Sequence, residues 1–222
     1  MIRGTGIDSA VKLYLKGNGA NGSTKFFDDS QSHKSITVGG NAQISTAQSK
    51  FGGSSMYFDG VSNNTKLDID IDTIGTEDFV FGFWMYSTRS TLYYDTPIAL
   101  STNNTYDTAQ IFLDLRANTS TVYFLSGGGG GVFSVTHAIN TQYYVMIKKA
   151  NNTIKLFFDG VEKASRADTY DYTGTKLNVG GLCFEGDVNA FPLEGYIDDF
   201  IMMVGAPVSS IDPTKVPTRQ RG

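Results

Sequence analysis

Short runs in which apolar and polar residues alternate recur along the whole chain of 222 residues. Such runs, rich in β-branched and aromatic residues and bounded by Gly, Asn, Asp and Ser, are typical of β-strands joined by turns. We predict about a dozen strands, at residues 11–15, 36–38, 55–58, 66–69, 79–86, 97–101, 109–116, 121–124, 143–149, 153–158, 176–180 and 195–203. Because helical periodicity is nearly absent, the pattern predicts an all-β protein.

Two kinds of turn signal support these strands. Asn151 and Asn152 separate strands 143–149 and 153–158, and both residues tolerate the positive φ of a tight hairpin. Asp159-Gly160 predicts a second tight turn directly afterwards. The glycine run 127–131 lacks the Lys-Ser/Thr of a phosphate-binding loop and opens no helix, so it indicates a flexible tip or a close backbone approach.

Length and composition favour one domain with a large core. β-Sandwiches commonly reach this length as a single unit, and 15 Phe and 12 Tyr supply large side chains for packing. We assign residues 1–205 to the sandwich and 206–222 to an extended C-terminal tail, which holds three of the five prolines. The tail is expected to pack on a neighbouring subunit or to hang free.

The charge and the cysteine content limit the classes of partner that the chain is expected to bind and the cellular compartment in which it is expected to be made. The formal charge is −4 and the 18 basic residues are scattered, so we predict no binding to nucleic acid. The chain has neither a signal-peptide pattern nor an apolar run long enough to span a membrane, so we expect no membrane insertion. The single cysteine, Cys183, cannot form an internal disulfide and is interpreted as an inert core residue. These features favour synthesis in a reducing cytoplasm.

A search for catalytic residues gives no convincing set. His33 and His137 have no Gly-x-Ser-x-Gly partner and are interpreted as surface or loop residues. Glutamate is scarce, and no Glu pair resembles the two carboxylates of a sandwich-fold glycosidase. Asp68, Asp70 and Asp72 share one strand face, where a solvated edge or cationic partners are expected. We therefore predict that the protein is not an enzyme.

Several motifs, in order along the chain, carry a resemblance to a known family. They are Leu13-Tyr14-Leu15, Phe27-Asp28-Asp29-Ser30, the stretch from Asn41 through Gly60, Asp78 to Met85, Lys155 to Gly160, and Gly195 to Ile201. With them the chain resembles the laminin-G-like, concanavalin A-like jelly-roll domains found in phage virion structural proteins. The resemblance implies a two-sheet antiparallel jelly-roll sandwich.

The same resemblance implies one structural calcium ion, held by Asp29 and Asp198. The loop around Asp29 reads Asp-Ser-Gln-Ser-His and lacks the usual Gly-Asn, which puts backbone ligation in doubt. The alternative for Asp198 is that it ends a strand or accepts backbone hydrogen bonds.

Aromatic residues supply the candidate contacts with a ligand or partner. Trp84 is expected in the core rather than on a sugar-stacking surface. Five loop tyrosines are candidates for glycan stacking or for a protein interface. They are Tyr93, Tyr94, Tyr106, Tyr170 and Tyr172.

Three functions follow, in order of preference. The first is a non-enzymatic phage virion structural protein, a capsid decoration protein or a tail fibre or accessory subunit. It would be made in the bacterial cytoplasm, be located in the virion, contact other virion proteins and form a homo-oligomer. The alternative is a lectin-like module that binds host cell-surface glycans. A glycoside hydrolase or lyase is disfavoured.

Overall fold

The computed structural model describes residues 9–61, 65–90, 94–116, 121–127, 129–133, 137–182 and 191–221. Within these residues the chain forms fifteen β-strands. In chain order they are β1 (Val11–Leu15), β2 (Ile36–Gly39), β3 (Gln43–Ser45), β4 (Ser55–Asp59), β5 (Lys66–Asp70), β6 (Phe79–Ser87), β7 (Tyr94–Ser101), β8 (Ala109–Arg116), β9 (Thr121–Ser126), β10 (Gly129–Phe133), β11 (Gln142–Ala150), β12 (Thr153–Phe158), β13 (Val161–Ala167), β14 (Lys176–Val179) and β15 (Glu194–Val204). Two short 3₁₀ helices cover Tyr106–Thr108 and Ala206–Ser210. No helix in these ranges is long and apolar enough to cross a membrane.

The strands form two antiparallel sheets. Sheet A has the order β13-β12-β11-β6-β15-β4-β3, and β1 pairs with the C-terminal half of β15. Sheet B has the order β10-β9-β8-β7-β14-β5-β2. The prediction of an all-β, two-sheet antiparallel jelly-roll sandwich is confirmed. Every predicted strand is present, whereas β3, β10 and β13 were not predicted.

The predicted turns are present, but part of the glycine run does not form the predicted flexible tip. Asn151 and Asn152 have φ of 51° and 56°, and Asp159 and Gly160 have φ of 49° and 78°. Both pairs thus make the positive-φ turns that suit a twisted hairpin. Glycines 129–131 lie in β10 and pair with β9, so this part of the run is strand and not a flexible tip.

The core lies between the two sheets and is rich in aromatic rings. Phe81, Phe83 and Phe200 are fully buried, and the rings of Phe83 and Phe200 stack with centroids 5.6 Å apart. Tyr172 also belongs to this core, with 0% of its surface exposed. It packs edge-on against Phe79 at 5.1 Å and donates its hydroxyl hydrogen bond to Asp168 Oδ2 at 2.6 Å. The prediction that Tyr172 is an exposed contact residue is therefore wrong.

A second apolar cluster lies on the outer face of sheet A, under the C-terminal segment. Trp84, Tyr144 and Met146 are buried there against Val208, which is 0% exposed. Trp84 is thus buried as predicted, but on the side of the sheet that faces away from the core.

Residues 206–221 differ from the prediction of a tail that packs on a neighbouring subunit or hangs free. This segment begins as a 3₁₀ helix and lies along the outer face of its own sheet A. Lys148 Nζ donates to the carbonyl of Ile211 at 2.6 Å, and the Arg221 amide donates to the Tyr14 hydroxyl at 3.0 Å. Burial of Val208 and Ile211 explains this, because a free segment would leave both side chains and the sheet's apolar face in water.

Candidate functional site

The outer face of sheet B carries a concentrated aromatic surface. Side chains on a strand alternate between faces. In β8, Ile111, Leu113 and Leu115 enter the core, which turns Phe112, Asp114 and Arg116 outward. Rings from neighbouring elements surround these three. We define the aromatic face as Tyr94, Tyr106, Phe112, Asp114, Arg116, Tyr123 and Phe191.

Phe112 is the buried centre of the aromatic face, at 2% exposure. The ring centroids of Tyr106, Tyr123 and Phe191 lie 5.2, 6.3 and 6.4 Å from it, all edge-on. Tyr94 extends the cluster by an edge-on contact with Phe191 at 5.0 Å. The four outer rings remain partly exposed, and Tyr94 is 36% exposed. The surface therefore offers several ring edges and faces to a ligand.

An ion pair lies among these rings. The Arg116 guanidinium is 5.1 Å from the Tyr94 ring centre and 5.2 Å from that of Tyr123. Its Nε donates to Asp114 Oδ2 at 3.2 Å. This pair adds polar recognition to an otherwise apolar surface.

One oxygen of Asp114 is buried without a hydrogen-bond partner in the described residues. The residue is 3% exposed, and Oδ1 has no hydrogen-bond partner within the described part of the chain. Burial raises the pKa of Asp114 to about 7; the hydrogen bond and charge of Arg116 lower it, and the charge of Asp95 raises it further. A buried acceptor without a donor favours a ligand that donates a hydrogen bond.

A buried ionic network holds one end of the aromatic face. Arg89 Nε donates to Asp95 Oδ1 at 2.6 Å, and Arg89 Nη2 donates to the Pro192 carbonyl at 2.8 Å. The Glu194 amide also donates to Asp95 Oδ1, at 2.9 Å. Asp95 follows Tyr94 in the chain and Pro192 follows Phe191. The network therefore fixes the backbone beside both of these rings.

The rest of the outer face of sheet B is polar and ion-paired. Lys66 Nζ lies 2.8 Å from Asp68, and Lys176 Nζ lies 2.6 Å from Asp70. Beyond the end of β5, Lys34 pairs with Asp72 at 3.0 Å. The predicted row of three aspartates thus has the expected cationic partners.

Only some of the predicted tyrosines meet at this site. Tyr94 and Tyr106 belong to the aromatic face. Tyr170 is 36% exposed but lies elsewhere, edge-on to the buried Tyr172 at 5.1 Å. Tyr93 lies outside the described residues. Tyr123, Phe191, Asp114 and Arg116 were not predicted as site residues. The alternation in β8 does place residues 112, 114 and 116 on one face of the strand.

The two predicted calcium ligands have different surroundings. The Asp29 carboxylate lies 3.7 Å from Lys16 Nζ. Asp198 is 2% exposed, and its Oδ2 accepts the backbone amides of Lys50 at 2.6 Å and Phe51 at 2.9 Å. The two carboxylates share no hydrogen-bond or ion-pair partner in the described ranges.

Asp198 Oδ1 is buried and has no hydrogen-bond partner of standard geometry in the described residues. Burial raises the pKa of Asp198 to about 6. No group of three His, Cys, Asp or Glu side chains that could hold a metal is found among the residues described. Asp198 therefore fits a cation ligand better than Asp29 does, and the calcium ion stays a prediction.

The buried anchor of the predicted calcium loop is Asp28 rather than Asp29. Asp28 Oδ1 accepts the amides of Tyr14 and Ser30, both at 2.9 Å. Its Oδ2 accepts the Ser30 hydroxyl and the Lys34 amide, both at 2.8 Å. Four hydrogen bonds to one carboxylate fix the loop without a metal ion.

The two histidines differ in how exposed they are. His33 is exposed, as predicted. His137 lies outside the strands, as the loop alternative predicts, but it is buried rather than on the surface, at 4% exposure. Neither of its ring nitrogens has a hydrogen-bond partner in the described part of the chain, and burial lowers its pKa. Cys183 lies outside the described residues.

No protein-family model matches the sequence, and no curated protein matches it. Solved structures do match. The binding domain of botulinum neurotoxin DC, in complex with rat synaptotagmin II, has a TM-score of 0.65 at 14% identity, over 94% of this chain and 51% of that one. A Trypanosoma rangeli sialidase matches with a TM-score of 0.66 at 14% identity, over 88% of this chain and 30% of the sialidase.

A third match covers a single domain almost completely. Domain 4 of a GH43 extracellular arabinanase from Geobacillus stearothermophilus, in complex with arabinotriose, has a TM-score of 0.60 at 12% identity, over 92% of this chain and 98% of that domain. The chain spans about half the length of the neurotoxin binding domain. At these identities the matches show the β-sandwich fold alone. None of these three proteins is a virion protein, so the phage setting and the virion location stay predictions.

Proposed function

We propose that the protein is a lectin-like, carbohydrate-binding domain whose ligand lies on the aromatic face. The observation that carries this proposal is the ring of partly exposed aromatics around the buried Asp114–Arg116 pair. Sugar rings have apolar C–H faces that stack on aromatic rings, and hydroxyl groups that bond to a carboxylate and a guanidinium. The aromatic face presents both kinds of partner within one patch.

The structural matches support the same class of ligand. Similar structures include a botulinum neurotoxin type C whose cell entry depends on interaction with two ganglioside molecules, and a neurotoxin binding domain in complex with SialylT, each matched over about half of its length. The arabinanase domain in complex with arabinotriose is matched over 98% of its length. These are properties of those proteins. They support a glycan as the first ligand class to test here.

We propose a binding role rather than a catalytic one. Glycoside hydrolysis ordinarily uses two carboxylates placed on either side of the scissile bond. In the aromatic face, Asp114 is paired with Arg116 and is surrounded by rings. This composition is typical of a ligand platform.

The test is a glycan array probed with the labelled wild-type domain, followed by calorimetry on the best glycan. Tyr123→Ala removes one of the partly exposed outer rings of the aromatic face, and we expect it to weaken binding by about tenfold or more. Tyr170→Ala is the matched control, because Tyr170 is as exposed as Tyr94 but lies off this face. An array without any bound glycan, or equal loss in the two variants, would show that the aromatic face is not the binding site.

A further inference from the structure

Three tyrosines far apart in sequence form one row across sheet A. In the strand register, Tyr196 of β15 lies directly opposite Tyr57 of β4 on one side and Tyr86 of β6 on the other. The next residues along these strands enter the core on the opposite side of the sheet; they are Met56, Met85 and Ile197. The three tyrosines therefore share the outer face of sheet A.

Glutamines extend the row at both ends. Gln43 of β3 lies opposite Tyr57, and Gln142 of β11 lies opposite Tyr86. We call these five residues the tyrosine row; it crosses five adjacent strands and all five side chains are partly exposed. The ring centroids of Tyr57 and Tyr196 are 5.0 Å apart and those of Tyr196 and Tyr86 are 6.0 Å apart. The rings thus follow the strand spacing of about 4.8 Å.

The C-terminal segment covers the neighbouring part of this sheet. The buried outer cluster around Trp84, Tyr144 and Val208 lies beside the row. Beside the tyrosines lies a small cavity that reaches Trp84 and Asp198. The tyrosine row is thus a partly exposed aromatic surface next to a covered one, and it lies on the opposite side of the sandwich from the aromatic face.

Two carboxylates, those of Asp59 and Glu194, lie close to the Tyr57 end of the row, and Glu194 is paired with Arg89 at 3.8 Å. The pKa of Tyr57 is raised, first by burial, then by Tyr196 and by the carboxylates of Asp59 and Glu194. The row itself contains only tyrosine and glutamine. An anionic ligand would be repelled by these carboxylates, whereas an uncharged one would not.

We propose that the tyrosine row is a second saccharide-binding site, which takes an extended chain of a neutral polysaccharide laid across the strands. The rings of Tyr57 and Tyr196 are tilted by 41° and those of Tyr196 and Tyr86 by 66°, so they offer ring faces and edges to successive sugar units. A row of three rings suits a chain better than a single sugar. The terminal amides of Gln43 and Gln142 can each donate and accept hydrogen bonds with hydroxyl groups. This site acts independently of the aromatic face.

The test is affinity gel electrophoresis in native gels that contain hydroxyethyl cellulose, xylan or laminarin. Carboxymethyl cellulose is the matched anionic gel, since it has the backbone of hydroxyethyl cellulose with added carboxylates. We expect at least one neutral polymer to retard the wild type and the anionic gel to retard it less. Tyr196→Ala should reduce the retardation, with an affinity loss of about tenfold, and Tyr196→Phe should preserve it.

Variants at the other surface separate this proposal from the first one. Tyr123→Ala should leave polysaccharide retardation unchanged, and Tyr196→Ala should leave the array binding of the aromatic face unchanged. Thermal unfolding of each variant checks that the fold is intact, and Tyr86→Ala repeats the test at a second ring. The proposal is overturned if no neutral polymer retards the wild type, or if Tyr196→Ala and Tyr86→Ala bind normally. It is also overturned if these changes instead convert a dimer to a monomer in light scattering.

Discussion

The buried pair of Arg89 and Asp95 offers the sharpest test of how the aromatic face is held. Asp95 is 1% exposed and Arg89 is 5% exposed, and their Nε to Oδ1 distance is 2.6 Å. Asp95→Ala removes the buried carboxylate partner of the Arg89 guanidinium and leaves only the partly exposed Glu194 carboxylate, 3.8 Å away. Breaking a buried pair in this way costs about 3–5 kcal/mol. For a domain of this size each kcal/mol lowers Tm by about 2–4 °C, so we expect a fall of about 6–20 °C.

Differential scanning calorimetry at neutral pH measures this effect. The matched control is Glu162→Ala, which removes the exposed Lys155–Glu162 pair, 2.7 Å apart with side chains 39% and 43% exposed. An exposed pair contributes about 0–1 kcal/mol, so the control should stay close to the wild type. Arg89→Lys keeps the charge but loses the planar fork that reaches both Asp95 and the Pro192 carbonyl, and it should give an intermediate loss. Equal Tm values for Asp95→Ala and Glu162→Ala would refute the role given to the network.

Three further predictions concern stability. Burial raises the pKa of Asp114 to about 7 and that of Asp198 to about 6. In the unfolded chain both carboxyl groups have the ordinary Asp pKa of about 3.9, so between that pH and their raised pKa values the folded protein binds more protons than the unfolded chain. The free energy of unfolding should therefore fall as pH rises from about 4 to 7, and denaturant titrations of Asp114→Asn with Asp198→Asn should show a flatter profile. Val208→Ala should lower stability by about 1–2 kcal/mol, while Val161→Ala, at a position 58% exposed, should not. If calcium binds at Asp198, Tm should be higher in excess calcium than in the presence of a chelator, and Asp198→Asn should abolish this difference. Equal Tm values of the wild type in the two conditions would contradict the predicted calcium site.

The fold was predictable because its signals are local. Alternation marks strands such as β8 and β11, and Asn151-Asn152 carries its own turn geometry. The missed strands lack that signal: β13 carries Glu162, Lys163 and Arg166 on an edge of sheet A, and β10 begins with three glycines. A strand with a single buried side chain, or one that begins with three residues without side chains, leaves no apolar pattern to detect.

The candidate sites were less predictable because they depend on strand register. Nothing near Tyr57 in the sequence indicates that Tyr196 lies opposite it, since that contact follows from the pairing of β4 with β15. Tyr172 shows the reverse problem. Its segment is polar, but tertiary packing places its ring against Phe79 in the core.

The two outer faces of the sandwich have a consequence for valency. With the two proposed binding surfaces on opposite sides of a two-layer domain, one copy would hold two separate saccharide chains, because the core lies between them. One copy would then cross-link its ligands without a second copy, and its attachment to a surface bearing many chains would strengthen with chain density rather than with the affinity of either site.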